Sequence, residues 1–228
     1  MEKIKPYDYS GFSLKKLKDP RFSHILLLVC GWIAYFILYF ITENLIPYEN
    51  CHVVHSVLDD MIPFNEYFAL FYVTWYAFVG LSLAFTFFFD VKNFKRIQLF
   101  IMITQAIAMT CYILYPTIQL LRPTVFPRDN FLTSVIQFIY SFDTPTGVCP
   151  SLHVGYSLGI LSAVLKERKN PAWLKVLCGL YVIGVSLSVC FVKQHSIVDV
   201  FWAIPTGIVA EILVYGKSYW LPKFKKTK

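Results

Sequence analysis

Five stretches of this chain run for about 17 residues or more without a single Asp, Glu, Lys or Arg: Ile25 to Thr42, Tyr67 to Phe89, Ile97 to Leu121, Thr144 to Leu165 and Val176 to Val192. Each is long enough as a helix, or nearly so, for the ~30 Å hydrocarbon layer of a bilayer. A sixth stretch, from about Ile197 to Tyr215, is broken by Asp199 and, near its end, by Glu211. A carboxylate inside a span is costly and usually marks function. A composition 57% hydrophobic, 18% aromatic and only 15% charged lies outside the soluble globular range. The expected fold class is therefore all-α, an integral membrane six-helix bundle forming one domain over residues 1–228.

Charge orients the bundle. Of the 21 Lys and Arg residues, six precede the first span, three lie in the second loop (Lys92, Lys95, Arg96), four in the fourth loop and five in the C-terminal tail. Only Arg122, Arg128 and Lys193 fall on the other side. Lys and Arg concentrate on the cytoplasmic side, so residues 1–23 and 217–228 are expected to be cytoplasmic tails of a multi-pass cell-membrane protein. A net charge of +7 would suggest nucleic acid in a soluble protein. Here the cytoplasmic excess explains it, with attraction to anionic membrane lipids as a consequence, and no nucleic-acid partner is expected. The first span follows a basic tail and lacks a small-residue cleavage site, which reads as a retained anchor rather than a signal peptide.

The outer loops are the longer ones. The first, Glu43 to Glu66, has five carboxylates, His52 and His55, and no Lys or Arg. Its end, IPFNEYF, places Pro63 and Asn65 at a turn into a helix start. His52, His55, Asp59 and Asp60 are a candidate divalent-ion cluster, although capping, packing or a lid over the site is the more ordinary role for them. In the second outer loop Asp129 is expected to cap a short helix whose apolar residues Leu132, Val135, Ile136 and Ile139 lie on the membrane interface. The six Cys have no paired metal spacing, and Cys51 and Cys149, both on the outer side, could form a disulfide.

Three polar groups on that side stand at span ends. Arg122-Pro123 ends the third span, Pro150-Ser151-Leu152-His153 opens the fourth, and Lys193-Gln194-His195 with Asp199 joins the fifth to the sixth. Pro is favourable at the first turn of a helix, and a helix N-terminus with free amides binds anions, phosphate above all. His195 and Asp199 are four apart and share a helix face. A carboxylate on one ring nitrogen fixes the imidazole tautomer and leaves the other nitrogen as base or nucleophile. A buried His satisfied by a nearby acid is the plainer alternative. Lys193 beside the pair and a second His on the neighbouring span tilt the group toward handling an anion.

CPSLH followed by KQHSIVD, with His195 42 residues after His153, resembles the type 2 phosphatidic acid phosphatase superfamily. That family carries K-x6-R-P, P-S-G-H and S-R-x5-H-x3-D motifs on a six-helix membrane bundle. Here Arg122-Pro123 match the first motif, Pro150, Ser151 and His153 the second, and Ser188, His195 and Asp199 the third. The resemblance covers residues 55–210. DDMIPFNEYF and DTPTGVCPSLH are similar to the branch that includes inositol phosphorylceramide synthases. Two family cations are missing, because Tyr115 stands at the Lys position and Val189 at the Arg position. Lys193 is the candidate replacement, and Arg128 a further one from the loop.

The resemblance implies phosphoryl transfer through a phosphohistidine, without cofactor or metal. His195 would attack phosphorus, Asp199 would orient it, and His153 would protonate the leaving oxygen. Arg122, Ser151 and Lys193 would hold the phosphate. The function so implied is hydrolysis of a lipid phosphate or pyrophosphate at the outer membrane face. Headgroup transfer of the inositol phosphorylceramide synthase type, and a non-catalytic protein that binds lipid phosphates, stay open as alternatives.

Overall fold

The computed structural model describes residues 5–226. Lys3 and Lys228 of the basic tails lie outside the described residues. Five helical runs are long and apolar enough to cross a membrane, which marks a multi-pass membrane protein. They are built on α1 (Ser23–Leu45), α3 (Ala69–Phe89, preceded by a 3-10 turn over Glu66–Phe68), α4 (Val91–Leu114), α7 (Ala172–Phe191) and α8 (Ile197–Tyr215). Between them lie α2 (Val57–Met61), α5 (Phe131–Phe142) and α6 (Leu152–Lys166), with α9 (Leu221–Lys226) closing the described chain.

The stretch Thr144 to Leu165, expected to form the fourth span with Pro150 opening its helix, is helical over less than a span's length. The helix there has 15 residues and begins only at Leu152, which gives roughly 22 Å of helix. Pro145, Gly147 at φ 59° and Pro150 keep the first part of the stretch out of the α conformation. This segment is instead laced to its neighbours. Gln119 N donates to Pro145 O at 3.0 Å and Gly147 N to Thr117 O at 2.9 Å. Val148 N and Cys149 N donate to Thr117 Oγ1 at 3.3 and 3.2 Å, and Pro150 O accepts from Tyr112 OH at 2.6 Å. Irregular backbone at membrane depth needs such internal partners.

α6 packs among α3, α4, α7 and α8. Close approach needs small residues. A Cβ on Gly159 would lie 2.7 Å from the ring of Phe100 on α4, so only Gly lets these helices touch there. Glu211 on α8 is neutralised inside the bundle: Lys166 Nζ lies 2.6 Å away, and Ser162 Oγ and Trp220 Nε1 donate at 2.5 and 2.6 Å.

The segments richest in Lys and Arg share one end. Tyr7 N donates to Phe88 O at 2.6 Å, Lys95 Nζ to Ser23 Oγ at 2.9 Å, and Asn93 Nδ2 to Glu167 at 3.1 Å. The N-terminal segment, the α3–α4 turn and the α6–α7 loop therefore meet. At the opposite end β1 (His52–Val53) pairs in parallel with β2 (Thr117–Ile118), tying the first long loop to the second.

α5 forms as the apolar spacing predicts and buries Thr133, Ile136 and Ile139. Its cap is Asn130, whose side chain accepts from Thr133 N at 3.1 Å, not Asp129. Asn65 accepts from Tyr67 N at 3.0 Å and starts the turn that leads into α3.

Candidate active site

The turn between α7 and α8 fixes His195. Lys193 adopts φ 54°, a left-handed conformation uncommon outside Gly, and reverses the chain. The backbone N–H groups of Gln194 and His195 then both donate to Val189 O at 3.0 Å. Ser196 caps α8 in a capping box with Asp199. The ring of His195 so directed places Nδ1 3.1 Å from Asp199 Oδ2, with Asp199 fully buried. Nε2 accepts or donates no hydrogen bond among the described residues, and His195 lines a cavity of about 510 Å³.

Of the other five expected site residues, His153 lines the same cavity, while Asp199, Ser151 and Arg122 gather at the His195 turn without lining it. His153, in the first turn of α6, lies with its ring 5.5 Å from that of His195 and lines the same cavity. Tyr72 and Trp75 wall it at 4.7 and 4.2 Å between ring centres. Ser151 N donates to Asp199 O at 3.1 Å, so the start of α6 is pinned to the start of α8. Arg122 reaches the residue before His195: its Nη2 donates to Gln194 Oε1 at 2.6 Å and to Asp143 O at 2.8 Å, and its guanidinium lies 4.4 Å from the Tyr140 ring centre.

Lys193 is the exception. Its ammonium donates to the carbonyl oxygens of Asp59, at 2.9 Å, and Ile62, and it is not part of the cavity wall. The expected phosphate cation is thus a buried clamp on the C-terminal end of α2. Burial pushes its ammonium pKa down, against the pull of nearby Asp59. Arg128 is engaged elsewhere too, in a two-pronged contact with the buried Glu66 at 2.5 and 2.9 Å. The family Lys position, Tyr115, stacks on His52 at 3.9 Å. Val189 is fully buried, and its carbonyl anchors the His195 turn.

The candidate ion cluster of the first loop is dispersed. His52 stacks on Tyr115, His55 Nε2 meets Asp60 Oδ1 at 2.8 Å, and Asp59 turns away into the fold. Among the described residues no three His, Cys, Asp or Glu converge as a metal set. Cys51 and Cys149 are both free thiols.

Several polar atoms around His195 have no protein partner. Ser151 Oγ, His153 Nε2 and Arg122 Nε are buried and unsatisfied among the described residues. Such groups are rare in folded proteins and need an explanation, a missing ligand being one. His153 faces the His195 ring, Ser151 is tied to Asp199 and Arg122 to Gln194, so all three belong to the neighbourhood of a histidine that an acid already orients.

Three further residues take roles that the sequence did not assign them: Asp59, read there as a candidate ion ligand, and Asp143 and Glu43. Asp59 accepts from Ser196 Oγ, Ile197 N and Ser56 N at 2.6, 2.8 and 2.8 Å. Asp143 accepts from Gln194 Nε2 at 2.9 Å and lines the cavity, as does Glu43. Burial pushes the Asp143 carboxyl up from its ordinary range, while Arg122 and His195 pull it back. The signals in the chain were the DDMIPFNEYF and DTPTGVCPSLH strings, whose first residues are Asp59 and Asp143.

Compared with known proteins, the chain matches no family model, no curated protein and no solved structure.

Proposed function

We propose that this chain is a membrane enzyme that removes phosphate from a lipid phosphate or pyrophosphate through a phosphohistidine on His195. The observation that carries this reading is the 3.1 Å contact between His195 Nδ1 and Asp199, with Nε2 left toward a cavity that His153 also lines. Nε2 attacks phosphorus, and Asp199 stabilises the imidazolium that forms. His153 protonates the leaving oxygen and then takes the proton of the attacking water. Ser151 Oγ, the first amides of α6 and the Nε of Arg122, unpartnered among the described residues, are the proposed donors for phosphate oxygens, with Ser151 and Arg122 standing outside the cavity wall. Fixed donors of this kind contribute ~3–4 kcal/mol each to a charged transition state.

The bundle is proposed to hold α6 as its sixth membrane helix, its crossing completed by the non-helical Thr144–Ser151 segment. The distribution of Lys and Arg supports cytoplasmic termini and a site facing the outer leaflet of the cell membrane.

Headgroup transfer is the second reading, and one observation favours it. The cavity wall contains Glu43 and Asp143 and no Lys or Arg, a poor match for a free phosphate dianion. Purified protein with EDTA present would be offered phosphatidate, phosphatidylglycerol phosphate and a polyprenyl pyrophosphate. Release of inorganic phosphate supports the first reading. Transfer of a labelled headgroup without that release replaces it with the second, and neither outcome leaves a non-catalytic lipid-phosphate binder.

A further inference from the structure

The cavity beside His195 has an unusual wall. Glu43, on the last turns of α1, and Asp143, just after α5, both face it without an ion pair among the described residues. Glu43 accepts a hydrogen bond from the Thr144 hydroxyl. Asp143 accepts from Gln194, from Tyr72 OH at 3.3 Å and from Tyr39 OH at 3.5 Å. The nearest guanidinium, that of Arg122, goes to the backbone carbonyl of Asp143 and not to its carboxylate. Two half-buried carboxylates therefore take their hydrogen bonds from neutral donors, with Arg122 pulling on Asp143 only electrostatically, and two acids against that one guanidinium favour a further bound counter-charge.

Aromatic rings supply the rest of that end. Trp32, Tyr35 and Tyr39 face it from α1, and Trp75 and Tyr76 from α3. Tyr35 stacks with Tyr39 at 5.8 Å and meets Trp32 edge-on at 5.7 Å, and Trp75 meets Tyr76 edge-on at 5.1 Å. Ring faces attract cations, and several rings around one point are the usual receptor for an alkylated ammonium. A metal ion fits less well, because the acids and histidines do not converge as a ligand set. The unpartnered His153 Nε2 lies in the same wall, between the aromatic end and His195.

We propose that the site takes a phosphodiester lipid whose headgroup carries an ammonium, with the phosphate at His195 and His153 and the ammonium among Glu43, Asp143 and the α1 and α3 aromatics. This rests on the phosphohistidine reading and specifies the headgroup-transfer form of it. A P–N bond to His195 Nε2 forms as the P–O bond to the lipid alcohol breaks, and His153 gives that oxygen a proton. The ammonioalkyl phosphate remains on His195. A water or a second lipid alcohol then forms a new P–O bond, passes its proton to His153 and breaks the P–N bond.

Calorimetric titration of the purified protein with short-chain phosphatidylcholine and phosphatidic acid, both below their micellar concentrations, tests the ammonium site directly. Phosphatidylcholine is expected to bind about 10-fold tighter than phosphatidic acid, and Glu43→Gln to remove most of that preference. The amide keeps an acceptor for Thr144. Tyr76→Leu, which deletes a ring from the wall, repeats the test should Glu43→Gln not fold. Equal binding of the two lipids, or a preference untouched by both variants, overturns the proposal. Failure of the phosphohistidine reading looks different: phosphatidylcholine still binds, in wild type and in His195→Ala, but no labelled phosphoenzyme forms.

Discussion

The hydroxyl of Ser196 donates a 2.6 Å hydrogen bond to the carboxylate of Asp59, a residue 137 positions earlier in the chain. Ser196 is also the cap of α8 and the immediate neighbour of His195. The first long loop thus fixes the turn that aims the candidate nucleophile. Asp59 is 2% exposed and accepts three hydrogen bonds. Replacing it with Ala leaves buried donors unpaired, at about 1–3 kcal/mol. Asp59→Ala is expected to lower the thermal midpoint and to reduce kcat more than it raises KM. An unchanged midpoint would remove the clamp from this account.

Lys193→Met separates clamp from site. The ammonium holds the carbonyls of Asp59 and Ile62, so loss of charge should destabilise the fold by about 1–3 kcal/mol. Turnover per folded molecule is expected to stay within a few-fold of wild type. A loss on the order of 10²-fold with normal thermal stability would return Lys193 to the phosphate.

His195→Ala should abolish turnover, since no other described side chain presents an acid-oriented nitrogen to the cavity. His153→Ala should lose ~10²–10⁴-fold with a poor leaving group and much less with a good one. The two variants measured with an alkyl and a nitrophenyl ester check both statements. More than a few per cent of wild-type activity in His195→Ala would rule out the covalent scheme.

Arg122→Lys probes the fork rather than the charge. Arg122 spreads its contacts over Gln194, Asp143 and Tyr140, and a Lys cannot reproduce that planar pattern. A fall in activity of 10-fold or more with retained folding is expected. Wild-type activity in Arg122→Lys would confine Arg122 to a structural role.

Cys51 reports orientation. Its thiol pKa is raised, first by burial and then by Glu49, and the thiolate is the reactive form. Labelling by an impermeant maleimide on intact cells should therefore occur, and quicken as pH rises toward that pKa. Labelling that requires permeabilised cells at every pH would invert the topology.

Much of this architecture could be read from the chain. Long uncharged runs specify four of the five span-length helices, α8 coming from the stretch broken by Asp199 and Glu211, and the spacing of Leu132, Val135, Ile136 and Ile139 placed α5. The His195–Asp199 contact followed from a separation of four. The start of α6 near Pro150 was legible, but its shortness as a span was masked, because Thr144–Cys149 is as uncharged as a helix would be. Its conformation is set by Pro145, Gly147 and a ladder of contacts from β2. Lys193 misled because its neighbours along the chain face the cavity while its own left-handed backbone turns it to α2. The roles of Asp59, Glu43 and Asp143 were hidden for a simpler reason, since their partners come from distant segments.

The fifteen-residue α6 is walled in by longer helices, and of its residues only Leu165 is exposed. Lipid chains therefore meet full-length helices almost everywhere and have no reason to thin around a short one. The position of His195 along the bundle is thereby tied to a helix length inside the protein, and it stays with the protein from a thin bilayer to a thick one.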